Sequence, residues 1–234
     1  YAIGSRNDMK IDVLDNYTEL SKRVADIVEH CVTTGIPPHN HMPRIVLPTG
    51  STPIGMYKEL IKRDLDWSSI ITYNLDEYVI DYNHEQSYYS YMKGHFFDHI
   101  NLTNYHFPPE FSDIGLPYET YGVDADLCIL GIGTNGHIAF NEPGTPFDSI
   151  TRIVELDEQT IKDNARFFFS IHEVPTEAIT MGLKTIMSAK KIVLMAAGEH
   201  KKDILDKAVD GRVTERVPAS ILQRHDNVEV YYCD

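Results

Sequence analysis

Short apolar runs alternate along the chain with segments in which apolar residues recur every three or four positions. Short, continuous apolar runs closed by glycine or acidic residues are typical of strands buried on both faces of a sheet. Four segments contain such a run: RIVLPTG, SIITYNLDEYV, DADLCILGIG and KKIVLMAAG. EVYYC, near residue 231, predicts one further strand.

Helical spacing predicts helices between these strands. It is clearest over Tyr17–Val32, and Gly35 with the following prolines ends that helix. A second helix is expected to run to about Lys62, with Thr52 as N-cap and Pro53 at its first position. Three more helices are predicted: Ser87–His99, Pro175–Met187 and His200–Val209.

Alternating strands and helices indicate an α/β fold with a mostly parallel sheet that helices cover on both faces. Nothing in the composition divides the chain, so residues 1–234 are expected to form one domain, with the aperiodic residues 1–10 left out of the fold prediction. Ligands in such folds bind beyond the carboxyl ends of the strands, so candidate chemistry is sought in those loops.

The charge of the chain narrows the choice of partners. A net charge of −14 without a basic run disfavours nucleic acid, although a local group of N–H donors and basic side chains can still hold a small anion. Three cysteines without short spacing favour reduced thiols, and no apolar run reaches the roughly 20 residues of a membrane span. With no signal-peptide core either, the expected location is the cytoplasm, without membrane association.

The loop LPTGSTP has the composition of a phosphate-binding turn. Gly50 allows the backbone to curl, and Ser51 and Thr52 bring hydroxyl and N–H groups to a helix start. The lysine of a nucleotide P-loop is absent. An ordinary capped turn between strand and helix has the same residues, so both interpretations stay open.

The segment NLDEYV places two carboxylates, Asp76 and Glu77, directly after a strand. Adjacent residues of an extended chain point in opposite directions, so at most one faces the cleft and the other makes a structural contact. A carboxylate at a strand end can move a proton on a bound substrate. A solvated acidic turn is the alternative.

The stretch GIGTNGHIAFNEPG places a histidine in a glycine-rich turn after a strand. Glycines at 131, 133 and 136 permit a tight turn that presents His137, whose imidazole can exchange protons near neutral pH. Glu142 could contact the other ring nitrogen and orient the base. A structural histidine is the alternative for this residue taken alone.

Two basic residues and one histidine pair complete the candidates. Lys201, at a helix start after a strand, and Arg166, in DNARFF, could contact a phosphate. The segment His39–His41 lacks a carboxylate or cysteine at ligand spacing, so no metal is assigned. The aromatic run SYYSYM is expected to pack on a helix face.

Taken in order, LPTGSTP, NLDEYV, GIGTNGHIAFNEPG, NARFF, AAGEHK and VPASILQRH resemble the glucosamine-6-phosphate deaminases over roughly residues 44–231. The resemblance implies a three-layer αβα sandwich that is Rossmann-like. It also implies conversion of glucosamine 6-phosphate and water to fructose 6-phosphate and ammonia, without a cofactor or metal. The partner would be a small sugar phosphate.

The resemblance also implies residue roles. Asp76 matches the group that carries hydrogen between C2 and C1, His137 the acid/base that opens the sugar ring, and Glu142 its acidic partner. The remaining matches bind the phosphate: Thr49, Gly50, Ser51, Thr52, Arg166 and Lys201.

The sequence departs from the family pattern in three respects. Asn135 stands where many members carry an aspartate, so one charge near the imidazole is missing. Val154 replaces the basic residue of allosteric hexamers, and the C-terminus is shorter, so a monomer or small homo-oligomer is expected. The connection from Tyr118 to Asp126 is also shorter than the family's.

Two other functions fit parts of the pattern. A 6-phosphogluconolactonase shares the strand, glycine and histidine arrangement but lacks NEPG and NLDEYV. A non-catalytic sugar-phosphate sensor would keep the phosphate loop, but binding alone does not need Asp76, His137 and Glu142 together.

Overall fold

Seven parallel strands form the central sheet of the computed structural model, which describes residues 9–34, 42–108, 118–121 and 123–234. The strands are β1 (Ile11–Val13), β2 (Arg44–Leu47), β3 (Ile71–Asn74), β5 (Asn104–His106), β6 (Leu127–Leu130), β9 (Ile192–Ala197) and β10 (Val228–Cys233). Their order across the sheet is β1-β10-β9-β6-β2-β3-β5. The predicted α/β fold with a parallel sheet is confirmed.

Helices lie on both faces of this sheet. The α-helices whose bounds fall within the described residues are α1 (Tyr17–Thr34), α2 (Ile54–Lys62), α3 (Tyr88–His95), α4 (Glu158–Asn164), α5 (Leu183–Ile186) and α6 (Lys202–Val209). The 3-10 helices are Phe97–His99, Tyr118–Tyr121, Ala165–Phe167, Ile171–Glu173, Glu199–Lys201 and Pro218–Arg224. Side chains of α1, α2 and α3 share one buried cluster with one face of the sheet, and those of α5, α6 and the helix Pro218–Arg224 share the opposite one. The three layers are therefore as expected.

Alternation along each central strand explains the two clusters. In β2, Ile45 and Leu47 belong to the cluster of α1 to α3, whereas Val46 belongs to the other. All three are buried, and successive strand residues point to opposite faces, so a continuous apolar run fills both layers.

A smaller antiparallel sheet was not predicted. It has the order β4-β8-β7, with β4 (Asp76–Tyr78), β8 (Glu177–Thr180) and β7 (Arg152–Glu155). We call residues 152–181, which contain β7, α4 and β8, the arm.

The acidic pair of NLDEYV, Asp76 and Glu77, lies in β4 instead of the expected polar turn.

Two helix predictions are wrong. The segment Pro175–Met187 contains β8 and the short helix α5, because residues 177–180 pair with both β4 and β7. Thr52 does not cap α2: the helix begins at Ile54, Pro53 occupies the capping position, and no side chain caps it. The helix predicted over Ser87–His99 is divided into α3 and the 3-10 helix Phe97–His99.

The residue that follows the arm packs tightly against the residues that precede it. A Cβ atom at Gly182 would lie 2.2 Å from the carbonyl oxygen of Ser149. Ser149 also accepts hydrogen bonds from the backbone N–H groups of Leu183 and Lys184. Only glycine fits at 182 without moving this backbone.

We expect Gly182→Ala to lower the free energy of unfolding by about 2 kcal/mol or more, since the new methyl group meets backbone that cannot move away cheaply. Gly94→Ala is the matched control because no atom lies within 4 Å of a Cβ at that helical position. That variant should be neutral or stabilised by up to about 1 kcal/mol. Urea unfolding measures both, and equal values for the two variants would contradict the packing described.

Candidate active site

Four adjacent strands carry most of the predicted site residues. The strands β9, β6, β2 and β3 are neighbours in the sheet and run parallel. The loop 49–52 follows β2, Asp76 follows β3, the histidine turn follows β6 and Lys201 follows β9. Because parallel strands end at the same edge, the fold brings these segments to one side of the sheet.

Tyrosine hydroxyl groups hold carbonyl oxygens of the loop after β2. The Tyr17 hydroxyl donates to the carbonyl of Thr52 at 2.8 Å, and that of Tyr91 donates to the carbonyl of Gly50 at 2.5 Å. Gly50 has φ 98°, a conformation that favours glycine. Among the described residues, the N–H groups of Gly50, Ser51 and Thr52 donate no hydrogen bond, which leaves them available to an anion.

Neither tyrosine was predicted to take part in this loop. The SYYSYM run was expected only to pack, whereas Tyr91 also bonds to the loop. Tyr17 additionally accepts a hydrogen bond from the N–H of Gly55 at 2.8 Å. Aromatic residues at helical spacing signal packing, so the sequence does not reveal the use of their hydroxyl groups.

Asp76 and Glu77 are both buried, with relative exposures of 7% and 1%, so the solvated-turn alternative is wrong. The carboxylate of Glu77 accepts hydrogen bonds from the N–H groups of Tyr78, Tyr88 and Tyr89, each at 2.8 Å. Glu77 is therefore the structural member of the pair and caps the start of α3. The alternation of strand residues predicted that one of the two would make a structural contact, without saying which.

Burial changes the pKa of Asp76. Desolvation, together with the charge of Glu77, raises the pKa of Asp76 to about 8. A carboxyl group whose pKa lies near neutrality can both accept and release a proton, which suits a proton carrier. Burial also raises the pKa of Glu77, against its three N–H donors.

The turn after β6 is shaped around the His137 ring. A Cβ atom at Gly133 would lie 2.2 Å from Cε1 of that ring, so a side chain there would displace the imidazole. Gly136 has φ 88°, and its N–H donates to the carbonyl of Gly133 at 3.0 Å. Gly131 is different, because nothing lies within 4 Å of a Cβ placed on it. The predicted need for glycine in this turn therefore holds at positions 133 and 136.

Glu142 returns to the histidine as predicted. One carboxylate oxygen, Oε2, lies 3.3 Å from Nδ1 of His137, an ion-pair distance at which the two groups are not aligned for a hydrogen bond. The same oxygen accepts a hydrogen bond from Nδ2 of Asn135 at 2.7 Å, and Oδ1 of Asn135 accepts the N–H of His137 at 3.1 Å. Asn135 therefore links both residues, and its neutral amide avoids placing a second carboxylate beside Glu142.

The pKa of Glu142 is shifted in the opposite direction to that of Asp76. Burial would raise it, but the contacts with His137, Thr160 and Asn135 outweigh burial and lower the pKa to about 2. Glu142 is consequently ionised throughout the neutral range. The Thr160 contact comes from α4, 18 residues along the chain, and was not predicted.

The histidine turn is attached to the arm next to Asp76. Thr180 pairs with Asp76 between β8 and β4, and its hydroxyl accepts the N–H of Phe140 at 3.1 Å. The side chain of Asn141 donates to the carbonyl of Met181 at 2.8 Å. These bonds fix the loop 137–142 against the strand pair that carries Asp76.

The two basic candidates differ in placement. Lys201 is half-buried, and its ammonium group donates to the carbonyl of Ile132 at 2.6 Å, which places it beside the histidine turn. Arg166 is exposed on the 3-10 helix Ala165–Phe167 of the arm, so its phosphate contact stays a prediction. The segment His39–His41 lies outside the described residues.

Comparison with known proteins shows the family of the chain. A family model described as glucosamine-6-phosphate isomerases/6-phosphogluconolactonase matches residues 15–231. A glucosamine-6-phosphate deaminase of Lachnoclostridium phytofermentans is 48% identical, with 96% of this chain and 99% of that protein covered. The corresponding deaminase of Clostridium novyi is 46% identical over 94% of this chain and 95% of its own length.

Solved structures give the same result. A structure described as a monomeric glucosamine-6-phosphate deaminase superimposes with a TM-score of 0.88 at 38% identity, covering 96% of this chain and 97% of that one. A 6-phosphogluconolactonase from Shewanella baltica has a TM-score of 0.78 at 16% identity, covering 99% of this chain and 100% of that one, and shows the shared fold alone. The chain belongs to the family of glucosamine-6-phosphate isomerases and 6-phosphogluconolactonases.

Proposed function

We propose that this chain converts glucosamine 6-phosphate and water to fructose 6-phosphate and ammonia. The observation that carries the proposal is that the loop 49–52, the buried carboxyl group of Asp76 and the turn bearing His137 lie at the ends of neighbouring parallel strands. The relatives named above, two by sequence and one by structure, are glucosamine-6-phosphate deaminases. A sugar phosphate of six carbons would extend from the loop 49–52 to Asp76 and His137.

The phosphate would be held by the N–H groups of residues 49–52 and by the charges of Lys201 and Arg166. Backbone donors fix its position, and the basic side chains supply charge in a protein whose net charge is −14. This binding would orient the sugar, so that its C1 and C2 atoms meet the acid/base groups at the other end of the site.

His137 would open the ring by taking the proton of the C1 hydroxyl and giving a proton to the ring oxygen. Glu142 stays ionised beside Nδ1 and stabilises the imidazolium that forms during this exchange. The second ring nitrogen, Nε2, has no hydrogen bond among the described residues, and the side chain is 26% exposed, so a ligand can reach it.

Asp76 would then take the proton from C2 and return it to C1. In the same step the C1 oxygen gains a proton and the amine loses one, so that C1 becomes an alcohol and C2 an imine. Water then adds to the imine, and ammonia leaves to give fructose 6-phosphate. The positively charged amine of the bound substrate would favour the ionised form of Asp76, whose pKa of about 8 in the free protein makes either protonation state accessible.

Location and assembly belong to the same proposal. All three cysteines are buried and free, which supports a reducing compartment and hence the cytoplasm. No helix of the described residues is long and apolar enough to cross a membrane. Similarity to a monomeric deaminase supports a monomer or small homo-oligomer.

The direct test is release of ammonia and fructose 6-phosphate from glucosamine 6-phosphate by the purified protein. Equal amounts of both products are expected, and Asp76→Asn should lower kcat by about 1,000-fold or more with KM largely unchanged, because it removes the proton carrier but no phosphate contact. 6-Phosphogluconolactone serves as the control substrate. Hydrolysis of that lactone without ammonia release would replace the proposal, as would binding of the sugar phosphate without turnover.

The raised pKa of Asp76 also predicts a pH-dependent stability difference. The folded protein holds a proton on Asp76 that the unfolded chain releases above about pH 4, so stability falls as pH rises from there through about 8. Asp76→Asn should therefore stabilise the fold increasingly between pH 5 and about pH 9. Asp64→Asn, at an exposed position, controls for the loss of one negative charge. A parallel pH dependence of unfolding in the two variants would contradict the shift.

Arg166→Ala should raise KM for glucosamine 6-phosphate by about tenfold or more while kcat changes less, because a charge-assisted contact to phosphate is lost. Arg212→Ala, which alters an exposed arginine of a different loop, is the control for the change in net charge. Steady-state kinetics measures both. Unchanged affinity in Arg166→Ala would remove this residue from the phosphate site.

A further inference from the structure

Thr160 is the one described residue of the arm whose side chain bonds to Glu142. Its hydroxyl donates to Oε1 of that carboxylate at 2.7 Å, and the residue is 8% exposed on α4. None of the six sequence motifs considered above contains it.

The two oxygens of Glu142 have separate partners. Oε2 contacts Asn135 and His137, both in the turn after β6, whereas Oε1 receives the hydroxyl of Thr160. Two hydrogen bonds to opposite oxygens fix the rotation of a carboxylate, and here that rotation determines how Oε2 faces the imidazole. Without the hydroxyl, Oε1 would be a half-buried acceptor with no partner among the described residues.

The same threonine connects the acid/base group to the arm. The helix α4 leads directly into the 3-10 helix Ala165–Phe167, which carries Arg166. Ile161 and Phe168 pack with Tyr78 and Phe140, so the arm is seated against β4 and the histidine loop. The bond from Thr160 to Glu142 therefore forms where the arm meets the histidine turn.

We propose that Thr160 is a positioning residue that orients the Glu142 carboxylate toward His137 and so makes ring opening depend on the docked arm. This inference rests on the proposed function. The orientation of the Glu142 carboxylate then depends on two segments, the turn after β6 and the arm. Acid/base catalysis is therefore complete only when the arm, which bears Arg166, is in place.

Three variants separate this role from packing. Thr160→Val keeps the shape and removes the hydroxyl, Thr160→Ser keeps the hydroxyl, and Thr176→Val makes the same change at an exposed threonine of the arm. We expect Thr160→Val to lower kcat about tenfold, equivalent to about 1.4 kcal/mol, with KM within about twofold of wild type. Thr160→Ser should stay within about threefold of wild-type kcat, and Thr176→Val should be unchanged.

The titration of the Glu142 carboxyl group tests the role of Thr160 even if the protein does not turn over glucosamine 6-phosphate. The carboxyl ¹³C resonance of Glu142, followed from neutral pH downward, should show protonation beginning at higher pH in Thr160→Val, because the ionised form has lost a donor. Thr160→Ser and Thr176→Val should titrate like wild type. Absence of ammonia release in wild type would remove the proposed function, whereas the titration would still test the orientation of Glu142.

Two results would overturn the inference. One is a raised KM with unchanged kcat in Thr160→Val, which would mean that the threonine only holds the arm and its phosphate contact. The other is a Glu142 titration that does not respond to loss of the hydroxyl. Thermal melting of each variant verifies that the fold is retained.

Discussion

The shared direction of β9, β6, β2 and β3 is the constraint on which the site depends. Because these neighbouring strands are parallel, segments that are far apart in sequence leave the sheet at one edge. The loop 49–52, Asp76, the histidine turn and Lys201 therefore lie on the same side of the sheet. The antiparallel sheet then adds the arm on the same side, since β4 continues from β3 and pairs with β8.

The surroundings of Glu142 and Asp76 shift the pKa values of these two carboxyl groups in opposite directions. Glu142 has partners on both oxygens, and its pKa falls to about 2, whereas burial without comparable compensation raises the pKa of Asp76 to about 8. Such a separation assigns different chemistry to similar groups. A permanently charged Glu142 can orient and stabilise a histidine, while Asp76 can gain and lose a proton at neutral pH. Asn135 is consistent with this division because its amide donates to Glu142 where a carboxylate would repel it.

The sequence predicts the elements that depend on local pattern and misses those that depend on pairing at a distance. Continuous apolar runs identify β2, β6 and β9, because strands buried on both faces need them. The segment Pro175–Met187 was predicted as a helix, but residues 177–180 form a strand that pairs on both sides with other strands. Nothing in the sequence of the segment indicates this pairing. The placement of the loop 49–52, Asp76 and His137 at strand ends was predictable because the strands that precede them were.

The contacts made by hydroxyl groups were not predictable. Tyr17 and Tyr91 lie on helices, where aromatic residues indicate packing, and Thr160 reaches Glu142 only because the arm folds back. Only the tertiary structure shows which hydroxyls reach which acceptors. Arg166 illustrates the reverse case: the resemblance assigns it to the phosphate, and its exposed position on the arm leaves that assignment to experiment.

The most direct test of the account is a crystal structure of Asp76→Asn with glucosamine 6-phosphate bound. The account predicts phosphate oxygens at hydrogen-bond distance, about 3 Å, from the N–H groups of the loop 49–52, with C1 and C2 of the sugar beside residue 76 and the ring oxygen or the C1 hydroxyl beside His137. A phosphate bound elsewhere, or a sugar whose C1 and C2 lie away from residue 76, would contradict it.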